Sequence, residues 1–184
     1  MTNAIVPTHL LGINWNWGML FLFVMIFNTV IYVIAYFCLN DLSIVDITWG
    51  LMFLIPNFIL LFDRMQFSGS KSVTDVQIAT LILVTFWAVR LAIHIGRRHK
   101  GEDWRYKELI RKRWEKCGPV GSAIAAYMYV FGMQGLFSMV GNATCIFIMR
   151  NSTNAQNGGK LSIADYLGVA VWVIGVLIET LADM

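Results

Sequence analysis

The chain has 184 residues, of which 58% are hydrophobic and 14% charged, with a formal net charge of +3. Long uncharged runs at this hydrophobicity exclude an ordinary soluble domain and place the chain among membrane proteins. Its three cysteines, Cys38, Cys117 and Cys145, are scattered without metal-ligand spacing, so neither a disulfide framework nor a zinc site is supported.

The first stretch, MTNAIVPTHLLG, carries no Arg or Lys. It resembles neither a transit peptide nor the charged start of a signal peptide, and the first apolar span is expected to be retained. A hydrocarbon core about 30 Å thick needs about 20 apolar residues per helix. Five segments meet that length: residues 18–39, 45–62 with a break at Pro56, 76–95, 122–149, and 163 to the last residue. Their apolarity is continuous rather than alternating, which selects helices over the strands of a barrel. The expected fold is all-α, a single polytopic transmembrane domain over residues 1–184, with a polar turn-rich loop at 151–160 before the last span.

Between the third and fourth spans lies RRHKGEDWRYKELIRKRWEK, with nine of the 14 Lys and Arg residues. Basic residues concentrate on inner-side loops, so this loop and the short turn at Asn40 and Asp41 are expected inside. A helix beginning after Gly101 would place Tyr106, Leu109, Ile110 and Trp114 on one face, with Arg113 inside that apolar arc and Arg111 outside it. The stretch therefore reads as an interfacial amphipathic helix, with a cofactor floor as the competing reading.

Charges within spans usually face a bundle interior. Asp46 opens the second span, Arg90 and His94 lie one turn apart in the third, and Glu179 and Asp183 stand four apart in the last. All five fall toward the same side, where Arg90 is a partner for either Glu179 or Asp46, and Trp49 and Trp87 are candidate walls. Each has a plainer alternative: Asp46 as a helix cap, Arg90 snorkelling, His94 as an interhelical hydrogen bonder. Gln134, between Gly132 and Gly135, is assigned to close helix packing. No phosphate-binding glycine loop and no Ser/His/Asp arrangement is present, and the basic stretch is too short for nucleic-acid binding. Paired broken helices, the mark of a transporter, are also missing from the pattern.

Taken in order, SIVDITWG, FWAVRLAIHIGRR, GEDWRY, the Gln of the fourth span and GVLIETLAD resemble the N-terminal two thirds of a multi-pass family related to the steroid 5-alpha-reductases. The resemblance implies a helical membrane protein that uses NADPH to reduce a carbon–carbon double bond conjugated to a carbonyl in a lipid. It implies Arg98, Arg105 and Tyr106 as cofactor contacts and Arg90 and His94 as residues nearer the chemistry; with Asp46 and Glu179 of the inward polar cluster the latter make up the candidate catalytic set, and no metal site is expected. Two departures accompany it: Ile95 stands beside His94 where steroid-reducing members carry Tyr, and the chain stops at Met184, before the family's RHPNY-like segment. The chain as given is accordingly expected to serve as a non-catalytic accessory or structural subunit of a larger membrane assembly, the alternative being the N-terminal part of an NADPH-dependent reductase. Membrane lipids and other membrane subunits are the expected partners. The mitochondrial inner membrane and the endoplasmic reticulum are the expected locations.

Overall fold

The structure is a computed structural model that describes residues 14–67, 73–151 and 160–183. The N-terminal stretch and most of the polar loop before the last span lie outside the described residues. The elements are α1 (Trp17–Cys38), α2 (Ile44–Phe67), α3 (Asp75–Arg98), a short α4 built of Trp104–Tyr106 and Lys107–Lys112, α5 (Glu115–Gly141), α6 (Ala143–Arg150) and α7 (Ile163–Ala182). Five of them, α1, α2, α3, α5 and α7, are long and apolar enough to cross a membrane, and the described residues contain no strand. The protein is an all-α polytopic membrane bundle, with α4 between the third and fourth spans as expected.

In α1, Leu20, Val24, Asn28 and Tyr32 are buried and four residues apart, so they form one face of the helix, while Phe23, Ile26 and Val30 stay exposed to the surroundings. That buried face meets α5 through polar contacts: Asn28 Nδ2 donates to the Phe131 carbonyl at 3.0 Å, the Tyr32 hydroxyl donates to the Ala123 carbonyl at 2.7 Å, and Thr29 shares a 2.9 Å hydroxyl bond with Tyr127. Both helices widen into π turns here, at Ile34–Cys38 and Tyr127–Gly132. A π turn departs from the α-helical bonding register and releases backbone groups that side chains of a neighbour can satisfy. Gly135 permits the approach, since a Cβ there would lie 2.7 Å from Asn28 Nδ2 and 2.8 Å from Met25 Sδ.

Pro56 does not break the second span; α2 runs through it. Proline withdraws one N–H from the helix ladder and crowds the preceding turn. The same turn is braced from the side: Asn57 Nδ2 and Asn142 Nδ2 donate to the Phe53 carbonyl at 2.7 and 2.9 Å, and Asn57 also donates to Asn142 Oδ1 at 2.9 Å. Both asparagines are fully buried. Further along, Gln77 closes a capping box with Thr74 at the start of α3 and donates to the Ile148 and Met149 carbonyls, joined by Arg64 at Met149. The last carbonyls of α6 are thus capped by two other helices.

The tightest helix pair is α2 with α3. A Cβ on Gly50 would sit 2.9 Å from both the Cα and the carbonyl oxygen of Ala88. By contrast α7 has no buried residue, and nothing lies within 4 Å of a Cβ on Gly168 or Gly175. Replacing Gly50 by Val is therefore expected to destabilise the protein by about 1–3 kcal/mol, as overpacking does, and to lower its thermal midpoint in detergent. Gly175→Val serves as the control with little change. Equal midpoints for the two variants would contradict the close α2–α3 contact.

Candidate functional site at the charged end

The turn that enters α2 sets the site. After α1, Asn40 adopts a left-handed conformation at φ 53°, which Asn tolerates better than most residues, and the Asp41 N–H returns to the Ala35 carbonyl at 2.8 Å. Asp41 Oδ1 then receives the Ser43 N–H at 2.9 Å. This local role at the helix entry is the one anticipated for Asp46, and it frees Asp46 to face inward. Asp46 Oδ1 accepts the Tyr106 hydroxyl at 2.8 Å and Gln134 Nε2 at 3.1 Å, while Oδ2 lies 3.4 Å from Arg105 Nη2. One carboxylate therefore ties α2 to α4 and α5. Gln134, assigned from sequence to helix packing, is a polar partner of Asp46, and Gly135 beside it carries the packing role.

The basic loop is locked onto the same turn. Asp103 N–H donates to Ser43 Oγ at 2.7 Å, His99 Nε2 lies 2.9 Å from Asp41 Oδ2, and Glu102 Oε1 receives the Leu42 N–H at 3.0 Å. The Glu102 side chain is only 5% exposed and also receives Arg111 Nε at 2.7 Å, with the Arg111 guanidinium 5.5 Å above the Tyr36 ring. The amphipathic reading of α4 needs correction here. Arg111, expected outside the apolar arc, points inward, and Arg113, expected within it, is exposed. The π turn at Lys107–Lys112 explains the change, because it has more residues per turn than the 3.6 used to place the face. Tyr106 remains buried, Ile110 packs on the core, and Trp114 stacks on Tyr129 at 5.5 Å.

A second polar group joins α3 to the end of α7. Arg90 forms ion pairs with Glu179 and, at 2.9 Å, with Asp183 Oδ2. Trp87 Nε1 donates to Glu179 Oε2 at 3.2 Å. His94 Nε2 lies 3.2 Å from Arg98 Nη1 and 3.6 Å from Asp183 Oδ1. Of the two partners anticipated for Arg90, the structure selects Glu179 and not Asp46. The expected single cavity is two clefts. One, of about 530 Å³, is lined by Asp46, Trp49, Arg98, Lys100 and Arg105 among others; the second, of about 430 Å³, by Arg90, His94, Arg97, Arg98 and Asp183. Arg98 borders both. Trp49 walls the first cleft as expected, whereas Trp87 sits against Glu179, with the two rings 6.2 Å apart.

The electrostatics outside the spans follow from these contacts. Hydrogen bonds from the Arg105 side chain and backbone hold Asp103 below the usual carboxylate range, and the same pair raises Arg105. Burial, reinforced by the charge of Asp46, pushes the Tyr106 phenol up. Tyr106 is therefore a fixed hydrogen-bond donor at neutral pH rather than a source of protons. Of the three anticipated cofactor contacts, Arg98 and Arg105 reach the 530 Å³ cleft, while Tyr106 is not among its lining residues and instead supports Asp46 from a buried position. Among the described residues no group of three or more His, Cys, Asp or Glu is placed to hold a metal ion, and the three cysteines are free.

Fold and site together define a polytopic helical membrane protein whose charged loop is folded back onto its helix ends around half-buried carboxylates. The chain belongs to the family described as a protein of unknown function (DUF1295), which matches residues 31–184 and so includes every residue of both polar groups. No curated protein and no solved structure matches it.

The Asp103–Arg105 pair has a direct test. A lowered carboxyl pKa adds stability above the ordinary Asp value of about 3.9 and loses it as pH falls through the folded-state value. Arg105→Ala is expected to raise the Asp103 titration midpoint toward that ordinary value, read by carbon NMR of labelled aspartate. It should also move the acid unfolding of the loop to higher pH. An unmoved Asp103 midpoint would remove Arg105 as the cause.

Proposed function

We propose that this is a reductase-type membrane protein of the steroid 5-alpha-reductase-like kind, whose 530 Å³ cleft receives the phosphates of NADPH. The observation that carries the reading is the wall of that cleft. Neither Arg98, which is hydrogen-bonded to His94 and only electrostatically coupled to Asp183, nor Lys100 forms an ion pair among the described residues. The indole N–H of Trp49, which also lines the cleft, is buried without a hydrogen-bond acceptor. Two cations outside any ion pair and an orphaned donor in a cleft of this size fit an anionic, acceptor-rich ligand.

NADPH, when bound, supplies a hydride to an activated double bond. In this reading Arg98 and Lys100 neutralise phosphate charge, and Arg105 stays committed to Asp103 while bordering the entrance. Trp49 Nε1 orients a ligand oxygen or amide. Asp46, held by Tyr106, Gln134 and Arg105, fixes the cleft wall. Arg90, His94, Glu179 and Asp183 form the neighbouring polar group that faces a lipid's polar head across Arg98.

One observation favours the second reading, an accessory membrane subunit. The Tyr106 hydroxyl and much of the Arg105 guanidinium already bind Asp46 and Asp103, as scaffold contacts do. NADPH titration of the purified protein separates the readings. Saturable binding that weakens about 10- to 100-fold in Arg98→Ala, the loss of one charge-assisted contact, supports the reductase reading. Absence of saturable binding in the unmodified protein favours the subunit reading, and binding unaffected by Arg98→Ala would move the site away from this cleft.

A further inference from the structure

We propose that the outer face of α3 binds an anionic phospholipid, its acyl chain along an apolar groove and its phosphate at Arg97. The groove, about 640 Å³, is lined by Phe58, Leu81, Ile82, Phe86, Val89 and Ile93 together with Thr85 and Arg90. Along α3, Ile82, Phe86, Val89, Ile93 and Arg97 follow one another at spacings of three or four residues, so they form a single stripe. The four apolar members are all exposed large hydrophobic side chains, and Arg97 is exposed as well. The stripe therefore runs from lipid-facing apolar surface straight onto a cation.

The groove is continuous with the 430 Å³ cleft, because Arg90 and Ile93 line both. Within that cleft the charges do not cancel. Its three arginines, Arg90, Arg97 and Arg98, outnumber the two carboxylates: Arg90 is ion-paired with Glu179 and Asp183, Arg98 is hydrogen-bonded to His94 and shares the field of Asp183, and Arg97 has no ion-pair partner among the described residues. A zwitterionic headgroup would bring its own cation to this surplus; an anionic one complements it. Chain length agrees with the arrangement. The 15 residue steps from Ile82 to Arg97 span about 22 Å of helix at 1.5 Å per step, which is of the order of one leaflet's acyl depth plus a headgroup. Phe86 is further backed by Trp172 of α7 at 6.0 Å, so one wall of the groove is aromatic.

This site is separate from the cofactor cleft, since Arg97 lines only the lipid side. The test uses the protein reconstituted into phosphatidylcholine vesicles with spin-labelled phosphatidylglycerol or spin-labelled phosphatidylcholine as the probe. The unmodified protein should immobilise the anionic probe in preference to the zwitterionic one, and the preference should fall as salt is raised. Arg97→Gln should reduce the preference about fivefold, as expected for one interfacial cation. Arg113→Gln, an exposed cation on the same loop away from the groove, should leave it unchanged. Equal association of the two probes would overturn the proposal, as would equal losses in the Arg97 and Arg113 variants, which would indicate only a diffuse positive surface. NADPH titration of Arg97→Gln reads the cofactor cleft independently, so failure of either site is seen without the other.

Discussion

The carboxylate of Asp46 is the contact on which the charged end depends. A charged group near the top of a membrane helix is tolerated only when its neighbours satisfy it. Here Tyr106 and Gln134 share one oxygen and Arg105 approaches the other. Those three residues come from α4 and α5, so satisfying one side chain fixes the relative placement of three elements. Glu102 does the same for the loop entrance by receiving both the Leu42 N–H and Arg111. The basic stretch is thereby folded against the helix ends, and the 530 Å³ cleft is the space left between that loop, α2 and α3.

The spans were legible because hydrocarbon imposes a length and forbids unpaired backbone, and both constraints act on composition alone. Local departures were less legible. Pro56 marks a break in a helix considered alone, yet α2 runs through it, with Asn57 and Asn142 bracing that turn through a contact 85 residues apart in sequence. The π turn in α4 changed the residues per turn, and the inward and outward assignments of Arg111 and Arg113 exchanged as a result. Gln134 carried a readable signal, a polar side chain amid apolar residues, but only the fold supplied its partner. Arg90 had two plausible acids in the sequence, and the parallel course of α3 and α7 decided between them.

The division of the intramembrane charges into two groups gives the end of the bundle two chemically distinct surfaces. One is a cleft with two cations outside any ion pair among the described residues and an orphaned indole donor; the other couples an ion-paired arginine to an apolar groove. Arg98 borders both. The basic loop therefore has several physical roles at once. Some of its cations neutralise acids that hold the fold together, and others, such as Arg97 and Lys100, form no ion pair among the described residues.

The central claim is that Asp46 and Tyr106 form one coupled unit that holds α4 to α2. A double-mutant cycle with Asp46→Asn and Tyr106→Phe, followed by thermal or denaturant unfolding in detergent, tests it most directly. Coupling of about 1–2 kcal/mol is predicted for a partly buried hydrogen bond to a charged group. Additive effects of the two substitutions would contradict the account.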